Sequence, residues 1–148
     1  MNIATYVLLD LAEKPLLDPS EIKNRRKLYQ SLAQGLSERE ARVKKLEFQE
    51  RIPITAEDLG WVFEDLYHGR GTFPPHPVLS KAYAVRWDRE KEVSEDNVVI
   101  LSGKDAETHE RKCLVEGKKL EEVWGKEVVD SIRRKSEEAR RIVAYRRG

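Results

Sequence analysis

The chain has 148 residues, and its 28 Lys and Arg against 27 Asp and Glu leave a formal net charge of +1. The length favours a single globular domain over 1–148, and the charge balance excludes a uniformly basic nucleic-acid binder. Hydrophobic residues at 39% suffice for a core, while one cysteine, Cys113, excludes an internal disulfide.

Ile3–Ala12 carries Ile3, Val7 and Leu11 on one helical face, although Tyr6-Val7-Leu8-Leu9 also suits a buried strand. It has no basic n-region and Asp10 interrupts it, so it does not read as a secretory signal, and a cytoplasmic location is expected. No run approaches the roughly 18 apolar residues of a membrane helix. Ser20 caps a second helix with Ile22, Leu28, Tyr29 and Leu32, which Gly35 is expected to stop. Ser37 with Glu40 forms a capping-box pattern that opens a third helix, ended by Pro53.

Thr55 caps the next helix, where Leu59, Val62, Phe63 and Leu66 recur at i, i+3, i+4 and i+7. His68–Pro77 reads as a loop. Tyr83, Val85 and Trp87 alternate with Ala82, Ala84 and Arg86 as a half-buried strand, and Val98–Leu101 is its hairpin partner. From Asp105 the pattern is helical with a break at Gly117, and 118–146 reads as one long C-terminal helix that projects unless it packs or pairs. The fold class is therefore α+β, mostly α: four or five helices, a small antiparallel β-hairpin and that long helix.

Charge is segregated along the chain. Ser20–Arg51 nets +4, Ile52–Pro74 nets −3, Asp88–Asp96 nets −3 and Asp130–Gly148 nets +4. The basic blocks supply a candidate nucleic-acid surface: Lys23, Arg25, Arg26, Lys27, Arg39, Arg42, Lys44 and Lys45 in one, Arg133, Arg134, Arg140, Arg141, Arg146 and Arg147 in the other. Helical spacing of Glu137 from Arg133 and Arg141, and of Glu138 from Arg134, also predicts ordinary i, i+4 ion pairs. Gly69-Arg70-Gly71-Thr72 offers two glycines and a base to a phosphate, without the strand-before, helix-after setting of a phosphate loop.

Leu32-Ala33-Gln34-Gly35-Leu36-Ser37-Glu38-Arg39-Glu40-Ala41 resembles the first half of the helix-turn-helix of bacterial regulators. The resemblance covers ten residues and implies a turn at Gly35-Leu36-Ser37 and a DNA-reading helix at Thr55–Tyr67. That helix carries Glu57, Asp58, Glu64 and Asp65, which repel phosphates. Its outer face, Glu57, Trp61, Glu64 and Asp65, instead suits a basic protein partner.

His109 and Cys113, at i, i+4, are the metal-ligand candidates, with His68 and His76 as further donors; charged neighbours make the His109 helix read as exposed. No nucleophile–base constellation is specified. The expectation is a non-enzymatic regulatory or adaptor protein, without metal or cofactor, that binds a larger nucleic-acid-associated assembly such as transcription machinery. Direct DNA or RNA binding through the basic helices is the alternative. A homo-oligomer built on the C-terminal helix and a metal-binding enzyme stand behind it. The abundance of Lys, Arg and Glu with few Asn, Gln, Met and Cys resembles the bias of hot-habitat proteins, which charged helical mesophile domains share.

Overall fold

The computed structural model describes residues 19–72 and 76–146, with side chains from 24 to 145. The Ile3–Ala12 segment, the side chains of Ser20, Ile22, Lys23 and Arg146, and Arg147 lie outside the described residues.

The first helix, α1, runs Pro19–Val43 without a break. The stop expected at Gly35 and the cap expected at Ser37 do not form. Leu32 and Leu36, one turn apart, are both buried in the same core, and only a continuous helix keeps them on one face. Ser37 Oγ donates to the Glu50 carbonyl at 3.3 Å, and Glu40, the expected cap partner, is buried against Arg86 at 2.9 Å. Without a turn at Gly35 the helix-turn-helix resemblance ends. The true stop comes before Pro53: Lys45 adopts φ +56 and the Leu46 N–H returns to the Ala41 carbonyl at 2.9 Å, a left-handed C-terminal cap.

Thr55 caps α2, Ala56–Trp61, with Asp58 completing the reciprocal box at 3.1 and 3.2 Å. The helix continues as a π turn over Val62–Leu66. It crosses α1 closely at Gly60, where a Cβ would lie 2.7 Å from the Tyr29 ring.

Ala82–Arg86 (β1) and Val98–Ser102 (β2) pair antiparallel, with Val85 opposite Val99. The expected half-burial is exceeded, because both faces of the hairpin are covered. Ala82, Ala84, Val98 and Ile100 face a core with Leu32, Leu36, Leu59, Val62 and Phe63. Val85, Trp87, Val99 and Leu101 face a second core with Ala106, Leu114, Val129 and Ile132. The sheet is thus the middle layer between α1–α2 on one side and the C-terminal helices on the other.

Ser102 caps α3, Gly103–His109, which passes into a π turn over Glu110–Val115. Gly117 at φ +73 ends it as expected. The 118–146 segment is not one rod. Leu120–Trp124 (α4) is separated from Lys126–Arg146 (α5) by Gly125 at φ +88. α5 packs along the molecule, with Val129 and Ile132 in the second core and Ala139 in the first. Among the described residues no helix is long and apolar enough to cross a membrane.

Candidate functional site

The basic residues of α1 have two fates. Arg25 pairs with Glu64, which ties α1 to α2, and Lys44 bridges Glu92 of the hairpin loop at 3.0 Å. Arg39 and Arg42 both converge on Glu110 beyond α3, with Arg39 at 2.8 Å. Burial raises the Glu110 pKa, but the Arg42 hydrogen bond and the charges of Arg39 and Arg42 outweigh it and hold the carboxyl below the usual range. The Arg42 guanidinium is raised in turn, first by its bond to Glu110. Two cations on one anion leave this clamp net positive.

Arg39 and Arg42 of this clamp also line an open cleft of about 860 Å³ between α1 and β1. Lys27, Arg39 and Arg42 line it with a single acid, Glu38, and Ser31, Gln34 and the half-exposed Tyr83 add neutral donors and a ring. Sequence reasoning found the three bases but missed Ser31, Gln34, Tyr83 and Glu110. No local signal pointed to Glu110, whose partners lie 68 and 71 residues away.

On α5, the i, i+4 pairs predicted for Glu137 and Glu138 are replaced by i, i+3 pairs, Arg133–Asp130 at 3.1 Å and Lys135–Glu138 at 3.6 Å. Arg140 reaches Asp96 of the hairpin loop at 2.9 Å. Arg26, Lys27, Lys45, Arg134 and Arg141 are exposed and make no ion pair among the described residues. The candidate nucleic-acid bases thus divide between structural tethers and these five outward cations.

The four residues of the acidic partner face all lie on the helical segment 56–66, with different surroundings. Trp61 is half-buried against the first core, Glu64 is held by Arg25, and only Glu57 and Asp65 remain exposed. The metal candidates are dispersed. His109 is fully buried, not exposed. Its Nε2–H donates to the Arg86 and Trp87 carbonyls at 2.9 and 3.0 Å, and its Nδ1 accepts from Trp124 Nε1 at 2.9 Å. The ring stacks on Trp87 at 4.9 Å with parallel planes. Burial depresses its pKa to about 4, against the opposing pull of the two carbonyls. Burial pushes the Cys113 thiol up, which keeps it protonated and unreactive. Among the described residues no group of three His, Cys, Asp or Glu could hold a metal ion.

No protein-family model matches the chain. Curated proteins do. The chain is similar to two yeast tRNA-modification enzymes. It is 32% identical over 135 residues to tRNA threonylcarbamoyladenosine dehydratase 1 of Saccharomyces cerevisiae, covering 90% of this chain and 30% of that protein. It is 30% identical over 129 residues to tRNA threonylcarbamoyladenosine dehydratase 2 of the same yeast, covering 87% and 28%. The chain therefore spans less than a third of the length of either relative. A match along nine-tenths of the chain to proteins named as enzymes overturns the expectation of a non-enzymatic regulatory or adaptor protein.

Proposed function

We propose that this fold is part of a tRNA-modifying dehydratase of the threonylcarbamoyladenosine type, and that within it the fold holds RNA. The observation that carries the first half is the similarity of about nine-tenths of the chain to two dehydratases of that name. The second half is supported by the cationic cleft of α1 and by Arg26, Lys27, Lys45, Arg134 and Arg141. Exposed bases that make no ion pair among the described residues gain most from phosphate contact, because counterion release is not offset by breaking an internal pair.

A dehydratase expels water, so its product nucleoside is lighter than the substrate by one water. Mass spectrometry of nucleosides from total tRNA tests the reading. Cells carrying the gene are expected to contain the dehydrated form of threonylcarbamoyladenosine. Cells from which the gene is deleted are expected to accumulate the undehydrated form. An unchanged nucleoside profile on deletion overturns the proposal.

A further inference from the structure

A second cavity, of about 380 Å³, lies between the end of α2, the loop after it and α5. Among the described residues its charged and titratable lining is Arg70, Lys135, His68, His76 and Tyr67, with no carboxylate in the wall, although Glu138 stands beside Lys135. The clefts beside α1, beside α4 and around Pro53 all mix acids with bases. This concentration of one sign is hidden in the residue balance, because Ile52–Pro74 nets −3. The acids responsible, Glu57, Asp58, Glu64 and Asp65, are absent from the cavity wall.

Backbone bonds anchor the described residues of the wall. The Gly69 N–H donates to the Phe63 carbonyl at 2.8 Å and the Gly71 N–H to the Pro77 carbonyl at 3.0 Å. The Thr72 N–H donates to the Ile100 carbonyl at 2.7 Å, and Thr72 Oγ1 accepts from the Ile100 N–H at 2.9 Å. A Cβ on Gly71 would lie 2.2 Å from Pro77, so the crossing requires glycine there. His68 and His76 stand at φ +56 and +53, a left-handed conformation that side chains other than glycine adopt rarely and that persists where the surroundings enforce it. His76 Nδ1 donates to the Gly71 carbonyl at 2.9 Å, which fixes the ring and turns Nε2 away from that bond. Burial pushes Tyr67 up to about 12 despite its bond to Thr72, so the phenol at the wall keeps its proton. Lys135 has one counterion, Glu138, at 3.6 Å, and both side chains are substantially exposed. Such a surface pair is weak and yields to a stronger anion.

We propose that this cavity is an anion site for a phosphoryl group. The volume lies within the range of small-ligand pockets. The Arg70 guanidinium and the Lys135 ammonium together offer more donors than the two oxygens of a carboxylate take up, whereas a phosphoryl group presents three strong acceptor oxygens. The Arg70 guanidinium supplies a planar fork for two of them, and Lys135 supplies a point charge. Terminal phosphates of small metabolites and phosphodiesters of RNA share this chemistry. The proposal stands on the cavity and does not depend on the dehydratase reading.

Titration of inorganic pyrophosphate into the 148-residue chain, at constant ionic strength and followed by NMR of the histidine rings, tests it. His68 and His76 are expected to shift saturably while buried His109 does not. Arg70→Gln and Lys135→Gln are each expected to weaken binding by roughly tenfold, the loss of one charge-assisted bond, with Lys126→Gln at the exposed start of α5 unchanged. An unshifted His109 ring in each variant certifies the fold, and Lys135 on the surface of α5 keeps the test available if Arg70→Gln unfolds. Adenosine 5′-monophosphate against a single-stranded RNA without terminal phosphate then separates the sources, and binding of either keeps the site. The proposal is overturned by no saturable shift, or by equal pyrophosphate affinity in the Arg70→Gln, Lys135→Gln double variant.

Discussion

His109 concentrates the chemistry of the second core in one ring. In the unfolded chain its imidazole titrates near 6.5, and in the fold near 4. Between those values the unfolded state binds more protons than the folded one. The neutral ring's contribution is therefore complete above pH 6.5 and is lost as pH falls toward 4, a change on the order of 3 kcal/mol. Urea unfolding at pH 7.5 and pH 5 reads it: the native chain is expected to lose stability on acidification, and His109→Gln to lose markedly less. Equal pH dependence in the two would mean that the ring is solvated. The burial of His109 was partly legible. Ala106, His109 and Cys113 recur at i, i+3 and i+7 and are all buried, but the charged residues between them dominated the local pattern. What could not be read was the pair of carbonyls and the Trp124 indole that satisfy both ring nitrogens, since they come from the end of β1, the residue after it and α4.

Helices and strands were easier to place than their ends. The hairpin, the Thr55 cap and the break at Gly117 follow from period, capping chemistry and glycine, all local signals. Gly35 shows where local signals lose. Its Gly-Leu-Ser neighbourhood is a helix stop by propensity, but burial of Leu32 and Leu36 in one core outweighs a penalty of about 1 kcal/mol for glycine in a helix. Because nothing lies within 4 Å of an added Cβ, Gly35→Ala is expected to stabilise the chain by about 0.5–1 kcal/mol. Thermal unfolding checks this. A fall in melting temperature would indicate a left-handed stop and restore the turn. At Gly125 the outcome is opposite: φ +88 divides α4 from α5, although the apolar spacing runs through it.

At the scale of the whole molecule, the net charge of +1 conceals a tethered architecture. Arg25–Glu64 links α1 to α2, and Arg39 and Arg42 on Glu110 link α1 to the C-terminal layer. Lys44–Glu92 and Arg140–Asp96 anchor α1 and α5 to the hairpin loop. The alternating charge blocks were visible in the sequence. Which members become tethers and which face outward was not, because that depends on contacts between residues 39 to 71 positions apart. The similarity to proteins named as dehydratases was not legible either, because no motif in the sequence specified a catalytic constellation.

The central claim is that this fold holds tRNA through the outward cations of α1 and α5. Its most direct test is titration of tRNA into the purified chain across a range of salt concentrations. Affinity is expected to fall linearly on a log–log scale, and each of Arg26→Gln, Lys27→Gln, Arg134→Gln and Arg141→Gln to reduce the slope by about one. No binding at low salt, or a slope unchanged in the quadruple variant, would contradict it.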